Sequence, residues 1–186
     1  GEENRETLNI MNNYAWFLYE QQRFAEAESL CTRTLSLRRR VQGNDHVETL
    51  DTMNNLAVLY KKTGRNAEAE PLYREGYEAS RRLLGDEHPN TLPSMSNLGR
   101  LLLQQGKSEE AELILCRAAT TARKILPPAF FGRGVILQNW GEALVALKRY
   151  EEAEDPMLEA YSILMNLDPE NPGIRYAVGS LVTIYE

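Results

Sequence analysis

Cysteine, histidine, excess positive charge and long apolar runs are all scarce in this chain. Only Cys31 and Cys116 occur in 186 residues, each inside a helical pattern and without metal-ligand spacing. They read as buried free thiols of a reducing compartment, with the cytoplasm as the expected location; a disulfide between them is the alternative. The two histidines, His46 and His88, read as turn residues. Neither has a cysteine or second histidine at ligand spacing, so no metal site is expected. A net charge of -6 lacks the basic face that nucleic acid demands, which argues against a nucleic-acid partner. No apolar stretch approaches the roughly 20 residues that span a bilayer, so no membrane partner is expected. The opening Gly1-Glu2-Glu3-Asn4 has neither a basic leader nor an apolar core, and no signal peptide is expected. There is no phosphate loop, nucleophile elbow or dinucleotide fingerprint. The many glutamates decorate helix surfaces rather than forming an acid–base pair. No catalytic residue and no cofactor are therefore expected, and the chain reads as a non-enzyme.

What is present is a period. Hydrophobic residues make up 42% and charged residues 26%, a composition that argues against disorder. Shifting the sequence by 42 positions aligns Asn13, Asn55, Asn97 and Asn139. The same shift aligns Ala27, Ala69, Ala111 and Ala153, and beside them Glu28, Glu70, Glu112 and Glu154. Several columns matching together mark a true repeat.

Each unit reads as two helices. In the second unit Leu50, Met53, Leu56, Ala57 and Tyr60 recur at three- and four-residue spacing and form one apolar face. Gly64-Arg65 breaks the pattern as a turn. Ala69, Leu72, Tyr73, Gly76, Tyr77 and Leu83-Leu84 form the face of a second helix that Gly85 ends. Pro89 prevents continuation, and Thr91 is expected to cap the next helix. Ala15, Ala57, Gly99 and Gly141 share a column of the first helix, where a small side chain lets two axes approach. The run Arg38-Arg39-Arg40 lies near a helix C-terminus and is expected to complement the macrodipole. Arg23, Arg65, Lys107 and Arg149 share the turn column as exposed partners of nearby glutamates.

Leu56-Ala57, Tyr60, Gly64, Ala69, Tyr73 and Gly76 resemble the tetratricopeptide pattern of small and large positions. The longer period, with Asn54-Asn55-Leu56-Ala57 and Leu84-Gly85-Asp86-Glu87-His88-Pro89-Asn90-Thr91, is similar to the kinesin light chain-like subfamily. The resemblance implies an all-α, right-handed superhelical solenoid of helix-turn-helix repeats. It divides a single array over 1–186 into units at about 7–48, 49–90, 91–132 and 133–174, with a partial fifth unit to 186. The last segment aligns with a first helix and lacks its partner, as in a fragment of a longer array. The first linker carries Val47 in place of Pro89. The third, from Leu126-Pro127-Pro128 to Arg133, keeps its length but loses the His-Pro-x-Thr turn.

In such a solenoid the first helices line a concave groove, and the positions left over from the core face fall on it. The candidate peptide-binding residues are Asn13, Trp16, Asn54, Asn55, Lys62, Asn97, Arg100 and Asn139. A carboxamide both donates and accepts, so one asparagine per unit suits the backbone of an extended peptide. The same column suits structural bracing equally well, since a repeated asparagine can hydrogen-bond the adjacent helix. Lys61, Lys62 and Arg100 favour an acidic ligand, but Asp51, Glu20 and Glu142 share the face. The leading expectation is a scaffold that binds a protein or peptide. The alternative is a self-association or regulatory module, forming a homo-oligomer through the open C-terminal end.

Overall fold

The computed structural model describes residues 1–167, 170 and 172–185. The described residues form helices joined by short turns, with no strand among them. Four hairpins follow in order: α1 Arg5–Glu20 with α2 Phe24–Gln42, α3 Val47–Lys62 with α4 Asn66–Leu84, α5 Leu92–Gln104 with α6 Ser108–Ile125, and α7 Phe131–Ala146 with α8 Tyr150–Leu167. A short 3-10 turn, Pro89–Thr91, leads into α5, and α9 spans Pro172–Tyr185. The hairpins start at Arg5, Val47, Pro89 and Phe131, and their second helices at Phe24, Asn66, Ser108 and Tyr150, each 42 residues after the last. The fold is all-α, as the repeat implied. Glu186, the last residue of the expected fifth unit, lies outside the described residues. Among the described residues, no helix is long and apolar enough to cross a membrane.

The helices sort into two compact units, Gly1–Gly85 and Asp86–Glu186. The first holds α1 to α4 around Ala15, Leu18, Ala27, Cys31, Leu35, Met53, Leu56 and Leu59. The second packs Leu98, Leu101, Leu102, Leu115, Leu137, Leu144, Met157 and Leu164 out of water, with α9 laid against α7 and α8. Each buried Leu or Met contributes about 1.5–3 kcal/mol relative to exposure. The small-residue column works by close approach. A Cβ on Gly99 would sit 2.4 Å from Cγ of Leu115, and one on Gly141 would sit 2.7 Å from Cγ of Met157.

The turns inside the hairpins repeat too, but their residues do not. Gly64 and Gly106 take φ of +79° and +76°, and the same column holds Gln22 and Lys148, both at +59°. A side chain there is strained. Lys148→Gly is therefore expected to stabilise the chain by about 0.5–1 kcal/mol, after the added unfolded-state entropy of glycine. Calorimetry should show a melting temperature higher by about 1–4 °C.

Between hairpins, the histidines are more than turn residues. Nδ1 of His46 accepts from the backbone N–H of Glu48 at 3.3 Å, and Nδ1 of His88 from that of Asn90 at 3.1 Å. Asn4 does the same for Glu6 at 2.8 Å. Thr91, expected as a cap, makes no side-chain capping bond and is fully buried. The reason is that the 3-10 turn begins at Pro89, which moves the capping position back to His88. The third linker has none of this. Gly43 and Gly85, at φ of +86° and +87°, end α2 and α4, whereas the matching position is Pro127, whose ring forbids positive φ. Accordingly α6 stops at Ile125 with an extended Leu126, and Phe130 enters α7 without a side-chain cap.

Arg39 and Arg40 lie in the last turn of α2, as expected of the arginine run, but Arg38 departs from it. Arg38 does not complement a macrodipole at the surface, because it is only 2% exposed. Its guanidinium donates to the backbone carbonyl of Glu48 and to Oδ1 of Asn9. Arg39 pairs with Glu75 at 2.7 Å, and Arg40 pairs with Glu3. The turn arginines do behave as read. Arg23, Arg65 and Arg149 each clasp the glutamate three residues on, at 2.6, 2.5 and 2.7 Å. These hydrogen bonds hold the carboxyls of Glu26, Glu68 and Glu152 below the usual range.

Candidate ligand-binding faces

Each unit presents its own set of first-helix side chains. In the first unit Asn13 is exposed on α1 and Lys62 is exposed at the end of α3. Trp16 is 38% exposed; its indole stacks on Tyr19 at 4.8 Å and donates to Glu20 at 3.0 Å. The ring is thus held by two neighbours with one face toward solvent. Asn54 and Asn55 are half-buried. Nδ2 of Asn55 donates to Oδ1 of Asn12 on α1 at 3.2 Å, so this carboxamide links adjacent first helices.

The second unit repeats that link. Asn139 is 1% exposed, and its Nδ2 donates to Oγ of Ser96 on α5 at 2.9 Å. Ser96 holds the column position that Asn12 holds in the first unit. Through Nδ2 the nearly buried Asn139 links α7 to α5, while its Oδ1 meets no partner among the described residues. Of the two roles open to the asparagine column, bracing is what Asn55 and Asn139 are seen to do. Asn97 and Arg100 remain half-buried on α5.

The second unit also contains a cavity of about 450 Å³, within the size range of ligand pockets. It opens between the first turns of α5 and α7. Pro93, Ser96 and Asn97 line it from α5, Val135 and Ile136 from α7, and Leu126, Phe130 and Phe131 from the third linker. Of these, Asn97 is one of the candidate groove residues named from the repeat pattern. The linker phenylalanines stay 49% and 45% exposed despite their size. Phe130 folds over Gly132, where a Cβ would come within 2.7 Å of its ring. Sequence reasoning marked this linker as irregular but did not select Phe130 or Phe131. The available signal was two adjacent aromatics in a column that is His-Val and His-Pro elsewhere.

Both cysteines are free, and burial pushes the Cys31 thiol up to about 11. Among the described residues, no group of histidine, cysteine or acidic side chains could hold a metal ion.

The tetratricopeptide repeat profile matches residues 6–82 and 60–124. The chain belongs to that family. Tetratricopeptide repeats are protein-interaction modules and are generally non-catalytic. The fold of this tetratricopeptide protein resembles the nearly identical TPR-like repeats of a kinesin light chain from Podosopora anserina, at 22% identity over 96% of this chain and 85% of that one, with a TM-score of 0.79. It also resembles BtubC (BKLC) from P. vanneervenii, at 20% identity, 89% and 66% coverage and a TM-score of 0.77. MamA from Desulfovibrio magneticus RS-1 is similar at 16% identity, 100% and 94% coverage and a TM-score of 0.62. No curated protein matches the sequence.

Proposed function

We propose that the chain is a non-catalytic scaffold that holds an extended segment of a partner protein against its first helices. The supporting observation is the apolar cavity beside Asn97, which lies on the same face as Arg100 and Val135. Its size and lining suit one large apolar side chain of the ligand. The Asn97 carboxamide at the rim suits a peptide group, since it can both donate and accept. Arg100, about one turn along α5, favours an acidic residue near the anchor. Asn13, Trp16, Asn54 and Lys62 offer further contacts in the first unit, and the free thiols suit a reducing, cytoplasmic setting.

The test is a peptide array that varies one apolar anchor and its acidic neighbours, followed by titration of the best binder. Phe131→Asp should leave α7 intact, because an acid is favourable at the first turn of a helix. It should also weaken binding at least tenfold, about 1.4 kcal/mol, by placing a charge in an apolar pocket. Unchanged affinity would remove the pocket from the proposal, and an array without binders would remove the peptide.

A second reading, self-association through the C-terminal end, draws on α9. Tyr176, Val178, Val182 and Tyr185 are all more than two-fifths exposed there. Light scattering at several concentrations separates the two, since only self-association raises the apparent mass.

A further inference from the structure

Three of the four hairpins open on the same device. The backbone N–H groups of Glu6, Glu48 and Asn90 each donate to a side chain two residues back, to Oδ1 of Asn4 and to Nδ1 of His46 and His88. The repeat carries these donors to Gly132 and these acceptors to Phe130. A phenyl ring offers no such acceptor, and α7 starts without a side-chain cap. Among the described residues the N–H of Gly132 meets no acceptor.

That open donor coincides with the apolar cavity, which Gly132 lines together with Phe130, Phe131, Val135 and Ile136. A second polar group beside the same wall is unmet. Oδ1 of Asn139, a residue 1% exposed, has no partner among the described residues, while its Nδ2 holds Ser96 on the cavity wall. The exchange of a cap for a ring brings the chain little burial of its own, because Phe130 and Phe131 remain 49% and 45% exposed. A helix start commonly carries an apolar side chain just before its cap residue, packed on the first turns. The cavity lies over the first turns of α7, where such a side chain belongs.

We infer that a partner segment completes this helix start in trans. Its apolar side chain fills the cavity, and the aspartate or asparagine that follows accepts from the Gly132 N–H. The inference rests on the cavity being the ligand anchor and adds the residue next to that anchor. Asn4 caps α1 without a charge, so the site selects an oxygen at a fixed place, and a carboxamide serves as well as a carboxylate.

The probes are acetyl-Phe-Asp-amide, acetyl-Phe-Asn-amide and acetyl-Phe-Ala-amide, titrated into the isotope-labelled chain and followed by NMR. The Asp and Asn probes should bind within about threefold of each other and about fivefold tighter than the Ala probe. Only those two should slow hydrogen exchange at the Gly132 amide. Phe130→Asn gives the chain a cap of its own, as Asn4 does, so it should protect Gly132 without ligand and bring the Asp-to-Ala ratio to within about twofold. Three results would overturn the inference: equal binding of the three probes, an Asp probe that binds without protecting Gly132, or an Asp preference that survives in Phe130→Asn. Equal binding would leave the apolar anchor standing, whereas failure of all three probes would remove the anchor as well.

Discussion

Gly99→Val is expected to destabilise the second unit by about 2–3 kcal/mol, the cost of inserting a branched side chain into a filled contact. Cγ and both Cδ atoms of Leu115 would lie within 3 Å of even the first added carbon. Leu115 has no exposed surface and cannot swing into solvent. Glycine in a helix interior ordinarily costs about 1 kcal/mol relative to alanine, so the chain tolerates this residue only because the helices meet there. Thermal unfolding should show a melting temperature lower by about 4–12 °C. Gly99→Val with Leu115→Ala should recover part of the loss, because the added methyls enter the space the leucine leaves. A single variant as stable as the parent would mean that α5 and α6 are not in close contact. The matching change at Gly141 should be milder, because the obstructing atoms belong to the flexible Met157 chain.

The second large effect is expected from Arg38→Ala, at about 3 kcal/mol. Burial draws the Arg38 pKa down, since the charged form loses water there. Its guanidinium ties α2 to the Glu48 carbonyl of α3 and to Asn9 of α1. Truncation would leave Oδ1 of Asn9 unmet, strip the Glu48 carbonyl of its charged donor while Thr52 still donates to it, and open a void where the side chain lay. Arg38→Met keeps much of the packing and loses only the hydrogen bonds, so it should cost about half as much. Denaturant titration of the three proteins resolves the difference. Equal losses for Ala and Met would assign the whole effect to hydrogen bonding, and equal small losses would show that Arg38 ties nothing together.

The repeat itself was legible because periodic burial imposes periodic residues: every hairpin start falls where the 42-residue shift places it. What escaped was what depends on partners in space. Asn139 has the same letter as Asn13, yet one is buried on Ser96 and the other exposed, because only α7 has α5 beside it within its unit. Arg38 read as a surface cation, since sequence shows charge but not the carbonyl that receives it. Thr91 read as a cap, since the one-turn displacement of the helix start depends on how Pro89 folds. The pocket was half visible. Asn97 in its α5 wall was a predicted groove residue, whereas the linker wall broke the pattern and so carried no column to read.

Repeats built on one pattern face a pairing problem during folding, because any first helix could in principle zip onto the wrong second helix. The helix-contact column answers it with shape. Leu115 fits against α5 only because Gly99 leaves a notch, and Met157 uses a similar notch at Gly141. In the first hairpin the corresponding residues are Ala15 and Cys31, a larger bump with a smaller side chain, and in the second they are Ala57 and Tyr73. Leu115 offered to α1 would collide with the Ala15 methyl, and Cys31 offered to α5 would leave a gap. Mismatched hairpins therefore lose packing in either direction. Uneven sizes along one column thus set the first hairpin apart from the third.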